Sequence, residues 1–325
     1  MSICKECTRS KIIAVGSYLP EKILTNFDME KLVETSNEWI LKRTGIKERH
    51  IALEQETTSD IGVNAIKNAI QNINFDINSV DMIICATTTP DLTFPSTACI
   101  IQKKLGIEKN IIAFDIQAVC SGFVYALSIA DDMIKCRKIK NAIVVCSDKM
   151  SSIIDWKDRN TCVLFGDGAG AVIIQSTNED RGIIDTELSA NGNYIDILKT
   201  TNGVSTNGIS GYICMDGKAV FKHAVEKMSD SIKDIVEKNG YKLSDISLII
   251  PHQANYRILS LVAEKLNIPY EKFMITIDKH ANTCSASIPL ALDIAVQQGR
   301  VKKDNLIVFE ALGGGLTWGS VLLKF

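Results

Sequence analysis

The chain follows one order of elements twice, and self-similarity on that scale narrows the possible folds more than any single motif does. Residues 80–86 read as a buried strand, and so do residues 246–252. Each is followed by a helical stretch with a similar end, Lys103-Lys104-Leu105-Gly106-Ile107 and Glu264-Lys265-Leu266-Asn267-Ile268. A second strand comes next in both, at 111–115 and 273–278, then a turn and a helix at 121–130 and 285–295. Both copies close with a strand (141–145 and 305–309) and a glycine-rich turn into a last apolar strand, at 165–174 and 313–323. Near-continuous apolar strands alternating with helices predict mixed, largely parallel sheets covered on both faces. Two such halves predict a pseudo-symmetric, layered α/β fold, with a terminal extension at 1–10, a first half at 11–180 and a second at 181–325.

Bulk properties agree with a large packed core. Of the 325 residues, 46% are apolar and 23% charged, and the formal net charge is −2. That balance argues against nucleic acid or an anionic membrane as the main partner. No run approaches the ~18 apolar residues of a membrane helix, and the first ten residues lack the apolar stretch of a signal peptide. The chain therefore reads as cytoplasmic, with its ten cysteines reduced. Cys85, Cys146 and Cys162 lie in apolar runs and read as small hydrophobes. Cys4 and Cys7 form a C-x-x-C with no second pair at zinc-ligand spacing, so no metal site is expected.

Three polar residues stand where such folds collect ligands, at strand ends and helix starts. Cys120 and Asn282 hold matching places in the repeat, each after a strand and before a helix, and His252 closes a strand. A thiol at a helix N-terminus is driven toward the thiolate, which attacks a thioester and stores the acyl group as another thioester. An imidazole and a carboxamide NH₂ aimed at one oxygen stabilise an enolate. Each residue also has a plain structural reading: a buried apolar cysteine, a structural histidine, a helix N-cap. Gly313-Gly314-Gly315 is either a tight turn or a backbone donor toward an oxyanion at Cys120. Gly166-x-Gly168-x-Gly170 leads into a strand, which excludes the dinucleotide fingerprint.

Taken together, the segments from Lys11 to Phe325 resemble bacterial β-ketoacyl-acyl-carrier-protein synthase III, a thiolase-like family of condensing enzymes. The resemblance rests on Gly16-Ser17-Tyr18-Leu19-Pro20, Ser36-Asn37-Glu38-Trp39-Ile40, Arg43-Thr44-Gly45-Ile46, Cys120-Ser121-Gly122-Phe123, Pro251-His252-Gln253-Ala254-Asn255 and Gly313-Gly314-Gly315-Leu316-Thr317-Trp318-Gly319, all in order. It implies a thiolase-type fold with two five-stranded sheets in five αβαβα layers, and a homodimer. It also implies decarboxylative condensation of an acyl-CoA primer with malonyl-acyl carrier protein through acyl-Cys120, with no separate cofactor. His252 and Asn282 would hold the enolate oxygen, and the N–H groups of Cys120 and Gly314 the tetrahedral oxyanion. Trp39 and Arg159 would sandwich the adenine of CoA, with Arg43 near its phosphates. Gly217, Phe221, Asn255 and Arg257 would contact the substrate along the pantetheine tunnel, and Phe94 would reach the partner subunit's acyl pocket. Arg257, Lys222 and Arg43 would form a basic mouth for an acidic carrier protein.

The chain departs from the family pattern at four positions. His280-Ala281-Asn282-Thr283-Cys284 stands where His-Gly-Asn-Thr-Ser is usual, which changes two residues. Val119 replaces a common alanine before the nucleophile, and Lys218 a common asparagine after Gly217. These changes bear on primer selectivity. Two alternatives stay open: a same-fold acyltransferase or condensing enzyme of a secondary-metabolite pathway, and a catalytically silent partner subunit. Intact Cys120, His252 and Asn282 weigh against both.

Overall fold

The computed structural model describes residues 9–71 and 73–325, and among them each half of the repeat builds one sheet. Strands Arg9–Tyr18, Gly168–Thr177, Asn141–Asp148, Met82–Ala86 and Ile112–Ile116 lie side by side in that order in the first sheet. The last three run parallel, and Gly168–Thr177 pairs antiparallel with both of its neighbours. The second sheet orders Leu248–Pro251, Leu306–Gly313, Thr317–Lys324 and Gly182–Ala190, with one parallel pairing and two antiparallel ones.

Side-chain alternation along these strands creates the layers. Met82, Ile84 and Ala86 enter a central core, with Ala142, Val144, Cys146, Ile307, Phe309 and Ala311. Ile83, Cys85, Ile143 and Val145 point the other way, onto helix Thr58–Ile70. Val308 and Leu312 face helices Gly217–Lys238 and Tyr256–Leu266. Helices Gly122–Lys135 and Ser287–Gln297 fill the middle, between the sheets. The stack is αβαβα, as expected. Gly170 allows the close approach of sheet and middle helix, since a Cβ there would lie 2.7 Å from Pro289 Cβ.

Three expectations need correction. The two sheets are mixed but not largely parallel, with three parallel and four antiparallel pairings, because the last strand of each half returns as a hairpin-like antiparallel neighbour. Residues 1–8, with Cys4 and Cys7, lie outside the described residues, but Arg9 and Ser10 are not part of an extension. They open the first strand, and the Ser10 hydroxyl donates to Asp131 Oδ1 at 2.7 Å. The second sheet has four strands rather than five. Residues 273–278 keep only an isolated parallel bridge, Phe273 with Ile249, before turning into the short helix Ile277–His280. The cause is the buried Gln253 carboxamide. Its Nε2 donates to Met274 O at 3.0 Å and its Oε1 accepts from Thr276 N at 2.9 Å. A side chain thus satisfies the backbone that a ladder partner would otherwise satisfy.

Gln253→Leu keeps the volume and removes these bonds, together with the one from Nε2 to Pro251 O at 2.8 Å. The expected loss is about 3 kcal/mol, from roughly 1 kcal/mol per buried bond, measured as a lower urea midpoint. A loss below about 0.5 kcal/mol would show that the carboxamide does not organise this segment.

Candidate active site

The strand Ile112–Ile116 ends in a single 3₁₀ turn, Val119–Ser121, that carries Cys120 into helix Gly122–Lys135. Val119, a β-branched residue, has φ 49°, a strained conformation of the kind stored at functional sites. The loop from the second half laces this turn in place. Thr317 Oγ1 donates to Ala118 O at 3.0 Å and lies 2.6 Å from Ser121 Oγ. A Cβ on Gly313 would stand 2.7 Å from Cys120 N, so only glycine lets this strand end pass beneath the turn. Gly314 follows it, packed against Leu198 and Val119.

His252 leaves its strand with its N–H on Glu310 O at 2.7 Å. Its Nδ1 is 2.6 Å from Ser287 Oγ, and Ser287 Oγ accepts from Gln253 N at 3.4 Å. The serine oxygen has two lone pairs, so this contact fits either ring tautomer; the one in which the Ser287 hydroxyl donates to Nδ1 carries the ring proton on Nε2. Asn282 sits between two backbone bonds, its N to Leu164 O at 2.9 Å and its O from Gly166 N at 3.0 Å. Its Oδ1 accepts from Cys284 N at 2.9 Å, which leaves the NH₂ as the free end of the carboxamide. The expected helix N-cap is not formed: Thr283 precedes the 3₁₀ turn Cys284–Ala286 and Ala286 precedes helix Ser287–Gln297, neither with a side-chain cap, and Asn282 instead closes a local turn while its NH₂ stays available as a donor.

Cys120, His252 and Asn282 all line one cavity of about 760 Å³, within the range of small-molecule sites. Trp39, Arg43, Gly217, Phe221, Asn255 and Arg257 line it too, as does Lys218. Asn255 also caps helix Tyr256–Leu266, accepting from Arg257 N at 2.9 Å, and the Arg257 guanidinium lies 5.3 Å from the Phe221 ring centroid. Arg159 does not line this cavity. It borders a shallower pocket with Glu34 and Lys157, and its guanidinium rests directly on Trp39 at 5.3 Å, with that of Arg43 at 5.7 Å. Gly314 and Lys222 also lie outside the lining. So does Phe94, which is 83% exposed.

The Cys120 thiol is held well below its ordinary range, first by its hydrogen bond with Cys284 and then by the nearby His252, against the opposing effect of burial. Burial pushes the thiols of Cys85 and Cys146 well up. Sequence reasoning missed three neighbours, Ser287, which orients His252, and Thr88 with Asp148; it singled out Cys284 only as a departure from the family pattern, not as a contact of the nucleophile, whose Sγ is 3.9 Å away. Asp148 accepts from Thr88 N at 2.7 Å and from Ser285 N at 3.1 Å, and so ties the first half to the turn after Asn282.

The family departure at Ala281 has a visible cost. This buried residue has φ 56° and ψ −159°, a region reached almost only by glycine, at about 1–3 kcal/mol for other residues. Ala281→Gly also loosens the unfolded chain by about 0.4–1 kcal/mol, so a net gain of about 1 kcal/mol is expected, read as a higher urea midpoint at unchanged m-value. Iodoacetamide provides a second check. Cys120 should be alkylated with an inflection below the about 8.5 of a free thiol, while Cys85 and Cys146 stay unreactive in the folded protein; an inflection at or above that value would contradict the lowered thiol.

Family models match the chain in two places. Residues 114–192 match 3-oxoacyl-[acyl-carrier-protein (ACP)] synthase III, and residues 236–325 match the C-terminal part of the same enzyme. The chain is 55% identical to beta-ketoacyl-[acyl-carrier-protein] synthase III of Ehrlichia canis (strain Jake), covering 97% of this chain and 99% of the relative. It is 54% identical to the enzyme of that name from Wolbachia pipientis wMel, over 98% and 99%. The crystal structure of 3-oxoacyl-[acyl-carrier-protein] synthase III from Aquifex aeolicus VF5 superposes with a TM-score of 0.93 at 49% identity, covering 97% of this chain and 100% of that one. With such identity over nearly the whole of both chains, the protein belongs to the 3-oxoacyl-[acyl-carrier-protein] synthase III family, the thiolase-fold condensing acyltransferases that initiate fatty-acid synthesis.

Proposed function

We propose that this protein joins an acyl-CoA primer to malonyl-acyl carrier protein by a ping-pong, decarboxylative condensation carried on Cys120. The observation that supports this most is the shared cavity: a nucleophile from the first half beside an imidazole and a carboxamide from the second. The Cys120 thiolate attacks the acyl-CoA carbonyl and the CoA thiolate leaves. The N–H groups of Cys120 and Gly314 hold the oxyanion of the tetrahedral intermediate. Malonyl-acyl carrier protein then loses carbon dioxide. The electron pair of the broken C–C bond passes to the enolate oxygen, which His252 Nε2–H and the Asn282 NH₂ stabilise. The enolate carbon attacks the Cys120 thioester, and the thiolate leaves as the 3-ketoacyl product forms.

The other residues have binding roles in this scheme. Trp39 and Arg159 take the adenine ring of CoA, which requires Arg159 to swing off Trp39, and Arg43 takes the phosphates. Gly217, Phe221, Asn255 and Arg257 flank the pantetheine arm. Arg257, Lys222 and Arg43 offer positive charge to an acidic carrier protein. The exposed Phe94 suits burial against a second copy of the chain, in a homodimer. No cofactor beyond the two thioester substrates enters the scheme. Among the described residues no helix is long and apolar enough to cross a membrane, and we assign the protein to the cytoplasm.

Intact-protein mass after mixing with acetyl-CoA or longer acyl-CoAs should show one acyl group on Cys120, lost in Cys120→Ser. Absence of an adduct with every primer would overturn the reading. His252→Ala and Asn282→Ala should keep this acylation but lower carbon dioxide release from malonyl-acyl carrier protein by about 10²–10³-fold each. Equal losses in both half-reactions would instead point to a structural role for the pair.

A further inference from the structure

We propose that Cys120 and Cys284 form a reversible disulfide site, in which Cys284 resolves the oxidised nucleophile and spares it from irreversible damage. The two sulfurs are buried and only 3.9 Å apart, although the residues are 164 positions apart in the chain. A disulfide spans about 2.05 Å, so closure needs roughly 2 Å of travel shared between two side chains. Among the described residues Cys284 alone is hydrogen-bonded to Cys120 through sulfur: Cys99, Cys136 and Cys214 are exposed, Cys85 and Cys146 lie in the cores on either face of the first sheet, and Cys162 shares the apolar cluster of Cys120 and Cys284 without bonding to either.

The arrangement separates the two partners by access. Cys120 lines the cavity, whereas Cys284 lies behind it, outside the lining, with its Sγ 3.8 Å from Thr88 Oγ1. An oxidant small enough to enter the cavity therefore meets Cys120 first. A thiolate is the form that reacts with a peroxide, and the hydrogen bond from Cys284 favours that form. The same bond keeps Cys284 protonated while Cys120 carries charge. Once Cys120 is oxidised its charge is gone, and that hold on the Cys284 proton is released.

With hydrogen peroxide as oxidant the chemistry balances in two steps. The Cys120 thiolate attacks one peroxide oxygen, the O–O bond breaks, and hydroxide leaves with a sulfenic acid on Cys120; a proton converts the hydroxide to water. The Cys284 sulfur then attacks the Cys120 sulfur, the S–O bond breaks, and the hydroxyl leaves with the Cys284 proton as a second water. Two thiols have given up two electrons, and one peroxide has become two waters. Without Cys284 in reach, a second peroxide would take the sulfenic acid to the sulfinic acid, which simple thiols do not reduce. Serine, usual at this position in the resembling family, could not resolve it.

The test is to treat the reduced full-length protein with hydrogen peroxide, block free thiols with N-ethylmaleimide, and map the digest by mass. The wild type should yield a peptide pair joined through Cys120 and Cys284, lighter by two hydrogens, and dithiothreitol should restore most of the activity of its own reduced sample. Cys284→Ser should show no such pair, accumulate sulfinic acid on Cys120, and recover at least tenfold less of its own reduced activity. A wild type that leaves Cys284 open to N-ethylmaleimide, or that gathers sulfinic acid on Cys120 as fast as the variant, overturns the proposal. Acylation of the reduced protein by acyl-CoA is scored separately. A disulfide without acylation sinks the condensation scheme alone, and acylation without a disulfide sinks this inference alone.

Discussion

The whole site depends on one contact in the middle layer, where the turn that carries Cys120 meets the turn that follows Asn282. A Cβ on Gly122 would lie 3.0 Å from the Cβ atoms of both Ala86 and Ser285, so the first half touches the second with nothing to spare. Helices Gly122–Lys135 and Ser287–Gln297 start from that meeting point and share one apolar core between the two sheets. Both sheets are twisted ribbons that fix where their strands end. Bringing the two helix starts together therefore brings the two strand-end regions together, and with them a thiol, an imidazole and a carboxamide. Packing sets the distances, and the chemistry inherits them.

That division explains what could be read from the chain and what could not. The layered fold was legible because the near-continuous apolar runs of Met82–Ala86, Asn141–Asp148 and Leu306–Gly313, set between helices, are a local property, and the repeat doubled the signal. The matched places of Cys120 and Asn282 followed from the same repeat. The second sheet's missing strand was not legible, because residues 273–278 carry ordinary strand composition. Only the Gln253 carboxamide, 21 and 23 positions away from its partners, shows that a side chain has taken the ladder's place.

The supporting cast of the site was hidden for the same reason. Ser287 orients His252 from 35 residues away, and Cys284 meets Cys120 from 164 away. No spacing rule connects such pairs. The departures from the family pattern were visible as letters, but their meaning was conformational: Val119, Ala281 and Cys284 all have positive φ. These strained residues cluster around the nucleophile and the carboxamide, which is where a fold tolerates conformations that it excludes elsewhere.

Asp148 gives that seam a sensitivity to acid. Its carboxyl is fully buried between Thr88 and Ser285, and burial, against the pull of those hydrogen bonds, raises its pKa from 3.8 to about 6. The folded chain thus binds this proton more tightly than the unfolded chain does. The resulting stabilisation, about 3 kcal/mol at about 1.4 kcal/mol per unit, is complete below the unfolded value and drains away as the pH climbs through about 6. At neutral pH the joint between the halves holds a buried negative charge, met by five donors from three residues, Thr87, Thr88 and Ser285. The seam that aligns the reactive groups thus also carries an electrostatic cost that the folded protein bears above that pH.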